Sequence, residues 1–212
     1  MKLFQELRNI KYKIFHPEIY PIKKIYGKNI IFIHINKNGG TSVISVLNGK
    51  KIHLTVKEVI KIIGKKRFEK SFIFTVVRNP FERCVSQYFH RVKTNQCLMK
   101  DNPIEFKEWI KKVYGSKKDP YYHDRQYKMF YPQVKWLNDA KNVIKIDLIL
   151  RFENLDNDFN SMSNKFGLNK KLPHLNISKR EKSNYREYYD TASRRIVEKY
   201  FQEDLEYFDY KF

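Results

Sequence analysis

Short apolar runs that are followed by helix-start signals are the feature that most constrains how this chain folds. Residues 29–35 contain Ile-Ile-Phe-Ile and lead into a Gly-Gly pair, and residues 72–77 are Phe-Ile-Phe-Thr-Val-Val. Their shortness and their β-branched residues favour buried strands over helices. A third run, residues 143–150, has the same character. Strands that alternate with helices predict an α/β fold, with a central parallel sheet covered by helices.

Capping signals predict where the helices begin. Thr55 followed by Glu58 is a capping box, and it predicts a helix that ends at Gly64. Asn79 followed by Pro80 predicts a helix that extends to about residue 91. Further predicted elements are a short strand at Ile52 and helices near residues 104–114, 133–138, 155–166 and 191–201.

The composition is that of a globular protein with a basic surface. A length of 212 residues with 42% hydrophobic residues suits a single domain over residues 1–212. We expect residues 1–28 to be an irregular lead-in and residues 29–212 to be the core. Lys and Arg number 43 against 23 Asp and Glu, a formal charge of +20. This charge favours nucleic acid, an anionic glycan, a membrane surface or a charged small molecule as partner.

The cysteines and the apolar segments indicate in which cellular compartment the protein works. Cys84 and Cys97 have neither metal-ligand spacing nor the number that a disulfide framework needs. The sequence contains no apolar run of membrane-spanning length, and residues 1–9 do not resemble a signal peptide. We therefore expect a protein of the cytoplasm, without a metal.

The first turn that is a candidate for ligand binding follows the first strand, at residues 36–42, Asn-Lys-Asn-Gly-Gly-Thr-Ser. Two glycines let the backbone approach a ligand closely, and the first N–H groups of the next helix form an anion site. Lys37 adds a positive charge, and Thr41 or Ser42 is expected to cap the helix. In a Walker A loop the lysine follows the last glycine. Here Lys37 precedes both glycines, which disfavours an ordinary ATPase or GTPase.

The second turn follows the strand at residues 72–77. It contains Arg78-Asn79-Pro80-Phe81-Glu82-Arg83 and continues to Ser86 and Tyr88. An arginine at the end of a strand can place its guanidinium on a phosphate with two hydrogen bonds. Arg78 is therefore a candidate phosphate ligand.

Together, the two turns resemble those of the PAPS-dependent sulfotransferases of family 2, the glycan type, which includes heparan sulfate 2-O and chondroitin sulfotransferases and short bacterial members. Residues 36–42 are similar to the family's PKTGGTS loop, and residues 77–88 to its VRNPxERxxSxY motif. One departure is Asn38, where the family often has threonine. The resemblance implies a P-loop-like three-layer fold and transfer of a sulfuryl group from PAPS to a hydroxyl, with PAP as the second product.

The resemblance also assigns roles to residues. Lys37 would stabilise the leaving oxygen, and residues 38–42, which are Asn38, Gly39, Gly40, Thr41 and Ser42, would hold the 5′-phosphate. Arg78 and Ser86 would bind the 3′-phosphate. A basic loop containing Lys179 and Arg180 would close over the nucleotide. Gln133 and Trp136 are candidates for a wall beside the acceptor.

The transfer also needs a base that takes the proton of the acceptor hydroxyl. His53 is the first candidate, because it precedes a helix start, its usual pKa is near neutrality, and glycan-type relatives have a histidine in this stretch. His90 is the second candidate, and His34 is expected to be structural.

Two other functions remain open at the sequence level. One is a P-loop-like nucleotide-dependent kinase, and the other is a non-enzymatic protein that binds nucleic acid or another polyanion. The favoured acceptor is a glycan, with an acidic saccharide suited to the basic charge. The sequence names neither the acceptor nor the oligomeric state.

Overall fold

A computed structural model describes most of the chain, namely residues 24–25, 28–49, 51–123, 127–139, 142–143, 146–173, 175 and 182–212. The chain divides into two compact units. The first comprises Met1–Val77 and Trp136–Leu175, and the second comprises Arg78–Lys135 and Asn176–Phe212.

The described strands, in chain order, are β1 (Lys24–Ile25), β2 (Lys28–Ile33), β3 (Phe72–Val77), β4 (Asn138–Asp139), β5 (Asn142–Val143) and β6 (Leu148–Arg151). The described α-helices are α1 (Gly40–Leu47), α2 (Val56–Ile63), α3 (Lys65–Glu69), α4 (Pro80–Lys93), α5 (Phe106–Tyr114), α6 (Val134–Leu137), α7 (Leu155–Lys165), α8 (Thr191–Tyr200) and α9 (Gln202–Tyr207).

A four-stranded sheet is the centre of the first unit. Its spatial order is β1-β2-β3-β6, and β2, β3 and β6 are parallel, while β1 pairs antiparallel at the edge. Residues on both faces of β3 are buried, as expected for a parallel strand covered on both sides. The core of this unit combines side chains of the sheet with side chains of α1 and α7 in one buried cluster that includes Phe74, Val43 and Phe159. The predicted α/β class with a central parallel sheet and flanking helices is confirmed.

Capping chemistry sets the bounds of α2. Thr55 accepts a hydrogen bond from the N–H of Glu58, and the Glu58 carboxylate accepts one from the N–H of Thr55. Gly64 ends the helix with a positive φ of 86°. The capping box and the helix end were both predicted from the sequence and are confirmed.

Two strand predictions were wrong. Ile52 lies in an irregular segment at residues 51–55 and not in a strand. Residues 143–150 do not form one strand. Val143 belongs to β5, which pairs with β4 as a separate two-stranded sheet, whereas the main sheet receives β6. An apolar run shows that a segment is buried but does not show which strand it pairs with.

The second unit is mainly helical. The Asn79 carboxamide accepts a hydrogen bond from the N–H of Phe81, so Asn79 is the N-cap of α4, and Pro80 is the first helical residue, as predicted. Aromatic and aliphatic side chains of α4, α5 and α8 form the core of this unit, with Trp109 and Phe201 fully buried in it.

Candidate functional site

The turn between β2 and α1 is built from residues in unusual backbone conformations. Lys37 has a φ of 68° and Gly39 a φ of 75°, both in the left-handed region. Gly39 is the N-cap of α1, and no side chain caps this helix. The prediction that Thr41 or Ser42 is the cap was therefore wrong, because α1 begins earlier, at Gly40, and both hydroxyl residues lie in its first turn.

Position 40 has to be a glycine because the His34 ring occupies the space of a side chain. A Cβ atom at this position would collide with the ring of His34, which is buried above the first turn of α1. At Gly39 a Cβ atom would lie 2.8 Å from Cδ2 of Leu155, in addition to the strain of the positive φ. The two glycines therefore allow the main chain of the turn to pack against the His34 ring and against Leu155 of α7 without intervening side chains.

Asn38 ties the turn to the sheet. Its Nδ2 atom donates a hydrogen bond to the carbonyl oxygen of Val76 on β3, at 2.7 Å, and the side chain is buried. This contact gives the departure from threonine a structural reason, since a threonine hydroxyl lacks the reach of a carboxamide. The side chain of Asn38 thus serves the loop itself.

The start of α1 has the properties of an anion site. The N–H groups of Gly40 and Thr41 precede the first intrahelical hydrogen bonds, where a helix has no earlier carbonyl group to accept them. The N–H of Ser42 already donates to the carbonyl of Gly39 at 3.0 Å. The Ser42 hydroxyl accepts a long hydrogen bond from the N–H of Leu175, at 3.4 Å. The N-terminus of a helix also carries partial positive charge, which favours an anion.

His53 is held by main-chain contact with His34. Its Nδ1 atom lies 3.0 Å from the carbonyl oxygen of His34, and the two ring centroids are 4.1 Å apart. A carbonyl oxygen can only accept, so Nδ1 of His53 carries the hydrogen in the neutral ring. The lone pair is then on Nε2, which is the atom able to take a proton. The ring of Trp136 is also a neighbour of His53, with a distance of 6.3 Å between the ring centroids and an edge-to-face arrangement.

His34 itself is unsuited to be a base. Burial, the positive charge that His53 can acquire, and the charge of Lys51 lower the pKa of His34 to about 3. The ring is neutral at neutral pH, and it packs between Gly40 and His53. The predicted structural role of His34 is therefore consistent with its surroundings. Its ring has two neighbours, Gly40 in the turn between β2 and α1 and the ring of His53.

The second turn fixes Arg78 at two points. The side chain is almost fully buried, and Nη2 donates to Oε1 of Glu82 at 2.9 Å. The backbone N–H and carbonyl of Arg78 are hydrogen bonded to the side chain of Gln133. Ser86 is buried one helical turn after Glu82, on the same face of α4.

Buried charges in the second unit were not identified from the sequence. Nη1 of Arg83 donates to the carbonyl of Tyr131 at 2.9 Å, and the guanidinium of Arg91 lies over the ring of Phe130 at 4.6 Å. Asp204 accepts hydrogen bonds from the backbone near Gln133. Arg83 lies within the second turn motif, but its burial had no signal in the sequence. Nothing in the sequence marked its carbonyl partner.

The other candidate residues from the sequence differ in burial and position. Gln133 and Trp136, the two candidates for an acceptor wall, are both fully buried, and Gln133 is hydrogen bonded within the second unit. His90 lies half-buried on α4. Lys179 and Arg180 lie outside the described residues.

Within the described part of the chain, no cluster of His, Cys, Asp and Glu has the arrangement of a metal site. None of its helices has the length and apolar character to span a membrane.

Comparisons with known proteins agree with the protein family that the sequence resembles. The family model described as "Sulfotransferase family" matches residues 26–211. An uncharacterized protein of Archaeoglobus fulgidus is 28% identical over 128 residues, which are 58% of this chain and 90% of that protein. No solved structure matches. The family match covers nearly the whole chain, so the similarity is not confined to the turn after β2.

Proposed function

The chain belongs to the sulfotransferase family, and from this premise we propose that it transfers a sulfuryl group from PAPS to a hydroxyl group of a carbohydrate. The observation that supports this most directly is the turn after β2. There an uncapped helix start, a lysine and a glycine that admits no side chain are combined. This is the arrangement that a phosphate or phosphosulfate group needs.

The donor contacts follow from the two turns. We assign the 5′-phosphate to the main chain of residues 38–42, where Gly40 and Thr41 offer helix-start N–H groups. Asn38 contributes here through its main chain, because its carboxamide is bonded to Val76. We assign the 3′-phosphate to the Arg78 guanidinium and the Ser86 hydroxyl. A 3′-phosphate is the feature that distinguishes PAPS from AMP and ATP. Lys179 and Arg180 stay candidates for the loop that covers the nucleotide.

The proposed reaction is an in-line displacement at sulfur. Nε2 of His53 takes the proton of the acceptor hydroxyl as the acceptor oxygen forms a bond to sulfur. The bond between sulfur and the 5′-phosphate oxygen breaks, and Lys37 neutralises the charge that develops on that oxygen. The products are the sulfate ester and PAP, and His53 returns its proton to solvent. The hydrogen bond from Nδ1 to the His34 carbonyl keeps Nε2 as the basic atom.

No residue of this proposed step requires a metal ion. The carbohydrate acceptor and the cytoplasmic location stay predictions from the sequence. Charge complementarity supports an acidic saccharide, because the chain carries a formal charge of +20.

Calorimetric titration of the protein with PAP, 5′-AMP and ATP tests the donor assignment. We expect PAP to bind on the order of 10–100-fold more tightly than AMP, which is the effect of a charge-assisted contact to one additional phosphate. Arg78→Ala should abolish this preference. Arg194→Ala is a matched control, because Arg194 also pairs with a glutamate four residues later, Glu198, but lies on the exposed face of α8. Equal affinity of the wild-type protein for PAP and AMP would contradict the proposal, and a preference for ATP would favour a kinase.

A further inference from the structure

Gln133 makes a two-point contact with the main chain of Arg78. Its Oε1 atom accepts a hydrogen bond from the N–H of Arg78 at 2.9 Å, and its Nε2 atom donates one to the carbonyl oxygen of Arg78 at 2.8 Å. One carboxamide thereby satisfies both polar main-chain groups of a single residue, as a neighbouring strand would. The Gln133 side chain is fully buried, so water does not compete for these bonds.

Asp204, on α9, holds Gln133 in this position. Its Oδ2 atom accepts hydrogen bonds from the backbone N–H of Gln133 at 2.7 Å and from Nε2 at 3.2 Å. Its Oδ1 atom accepts one from the N–H of Val134 at 2.9 Å, at the first residue of α6. Burial raises the pKa of Asp204, while these hydrogen bonds and the charge of Arg83 act in the opposite direction. The carboxylate therefore anchors both the main chain and the side chain of Gln133.

The same arrangement restrains Arg78 at both ends. Gln133 fixes its peptide groups, and Glu82 receives its guanidinium at 2.9 Å. The guanidinium is at the end of a long side chain, so a small tilt of the Arg78 main chain displaces it by a larger distance. Recognition of a phosphate by an arginine depends on the position of this planar group.

We propose that Gln133 and Asp204 are positioning residues for recognition of the 3′-phosphate, and that they act through the main chain of Arg78. This inference rests on the proposed function, because it assumes that Arg78 binds the 3′-phosphate of the donor. It adds two fully buried residues, 55 and 126 positions after Arg78 in the sequence.

A purely structural role would have a different signature. Loss of a buried hydrogen-bonded glutamine lowers the stability of the fold whatever it is bonded to. Only a positioning role lowers the ratio of PAP affinity to AMP affinity in protein that is still folded. The ratio is informative because the two nucleotides differ in the 3′-phosphate alone.

The test compares Gln133→Met with Gln87→Met. Gln87 is a matched control, because it is also buried in the second unit and bonded at both ends of its carboxamide, to Tyr114 and to the carbonyl of Met129. Melting temperatures and titrations with PAP and AMP are measured for both variants, well below their unfolding transitions. We expect both to melt earlier, and only Gln133→Met to lose on the order of 10-fold in the affinity ratio.

A folded Gln133→Met variant that keeps the wild-type affinity ratio would overturn the inference. If this variant does not fold, Asp204→Asn takes its place, since it preserves shape and removes one of the two acceptor oxygens. The expected result is again a lowered ratio, and an unchanged ratio again overturns the inference. A wild-type protein without preference for PAP would instead overturn the proposed function, so the two failures are distinguishable.

Discussion

The carbonyl oxygen of His34 lies 3.0 Å from Nδ1 of His53, and this contact determines which nitrogen of His53 can accept a proton. The backbone supplies the acceptor, so the orientation of the ring does not depend on a second titrating group. A backbone or carboxylate partner on one nitrogen is the usual way in which a protein selects the tautomer of a histidine.

Replacement of His53 by alanine should remove the base and leave the donor site intact. We expect transfer of labelled sulfate from PAPS to desulfated heparin or chondroitin to fall by roughly 10²–10⁴-fold, the usual contribution of a general base. Affinity for PAP, measured by calorimetry, should stay close to that of the wild type. The comparison is His90→Ala, which we expect to retain transfer. Full activity of His53→Ala, with loss in His90→Ala, would move the base to His90.

Replacement of Lys37 by glycine should separate stability from activity. Lys37 adopts a left-handed conformation with a φ of 68°, which costs an L-residue about 1 kcal/mol and costs glycine little. We therefore expect Lys37→Gly to be at least as stable as the wild type towards urea, while transfer falls by two or more orders of magnitude, on the order of the loss of one key electrostatic group.

The control for this variant is Asn48→Gly at the other end of α1, where Asn48 also has a positive φ, 51°. It should match the stability of Lys37→Gly and keep full activity. If Lys37→Gly lost stability in proportion to activity, Lys37 would be a structural residue of the turn.

Addition of a single methyl group at Gly40 should destabilise the first unit. The new Cβ atom would collide with the His34 ring, and overpacking of this kind typically costs about 1–3 kcal/mol. The double variant Gly40→Ala with His34→Ala has space for the methyl group, so the cost of Gly40→Ala should be smaller in the His34→Ala background. Urea unfolding of all four proteins measures this coupling, and additive effects would show that the two residues do not share the space.

The stability of the protein should depend on pH through His34. Its pKa is about 3 in the folded protein against an ordinary 6.5, so between these values the unfolded chain binds a proton that the folded chain does not. Stability is then unaffected by this group above pH 6.5 and falls as the pH decreases towards 3, with a slope that approaches about 1.4 kcal/mol per pH unit.

The measurement is the free energy of unfolding of the wild type and of His34→Gln from pH 7.5 to pH 4.5. The variant should show a shallower decline in this window, and its difference from the wild type at pH 7.5 reports the altered packing alone. Parallel curves would mean that His34 titrates normally in the folded protein.

Two helix starts could be predicted because their signals are local. The Thr55 and Glu58 box and the Asn79 cap place donor and acceptor within three residues of each other, so the sequence contains the whole interaction. The strand β3 was predicted for a similar reason, since six consecutive residues carry its β-branched and aromatic pattern. The strand predicted over residues 143–150 failed because pairing involves distant partners, and β5 and β6 found different ones.

By itself, the sequence determined the class of the fold, the glycine turn with its lysine, the helix caps at Thr55 and Asn79, and the resemblance to the sulfotransferase family. The tertiary structure decided why Gly40 has no side chain, which nitrogen of His53 is basic, and what holds Arg78. The physical reason is separation along the chain. The bonds between His34 and His53, Arg78 and Gln133, and Gln133 and Asp204 join residues 19, 55 and 71 positions apart, and only folding brings their atoms within hydrogen-bond distance.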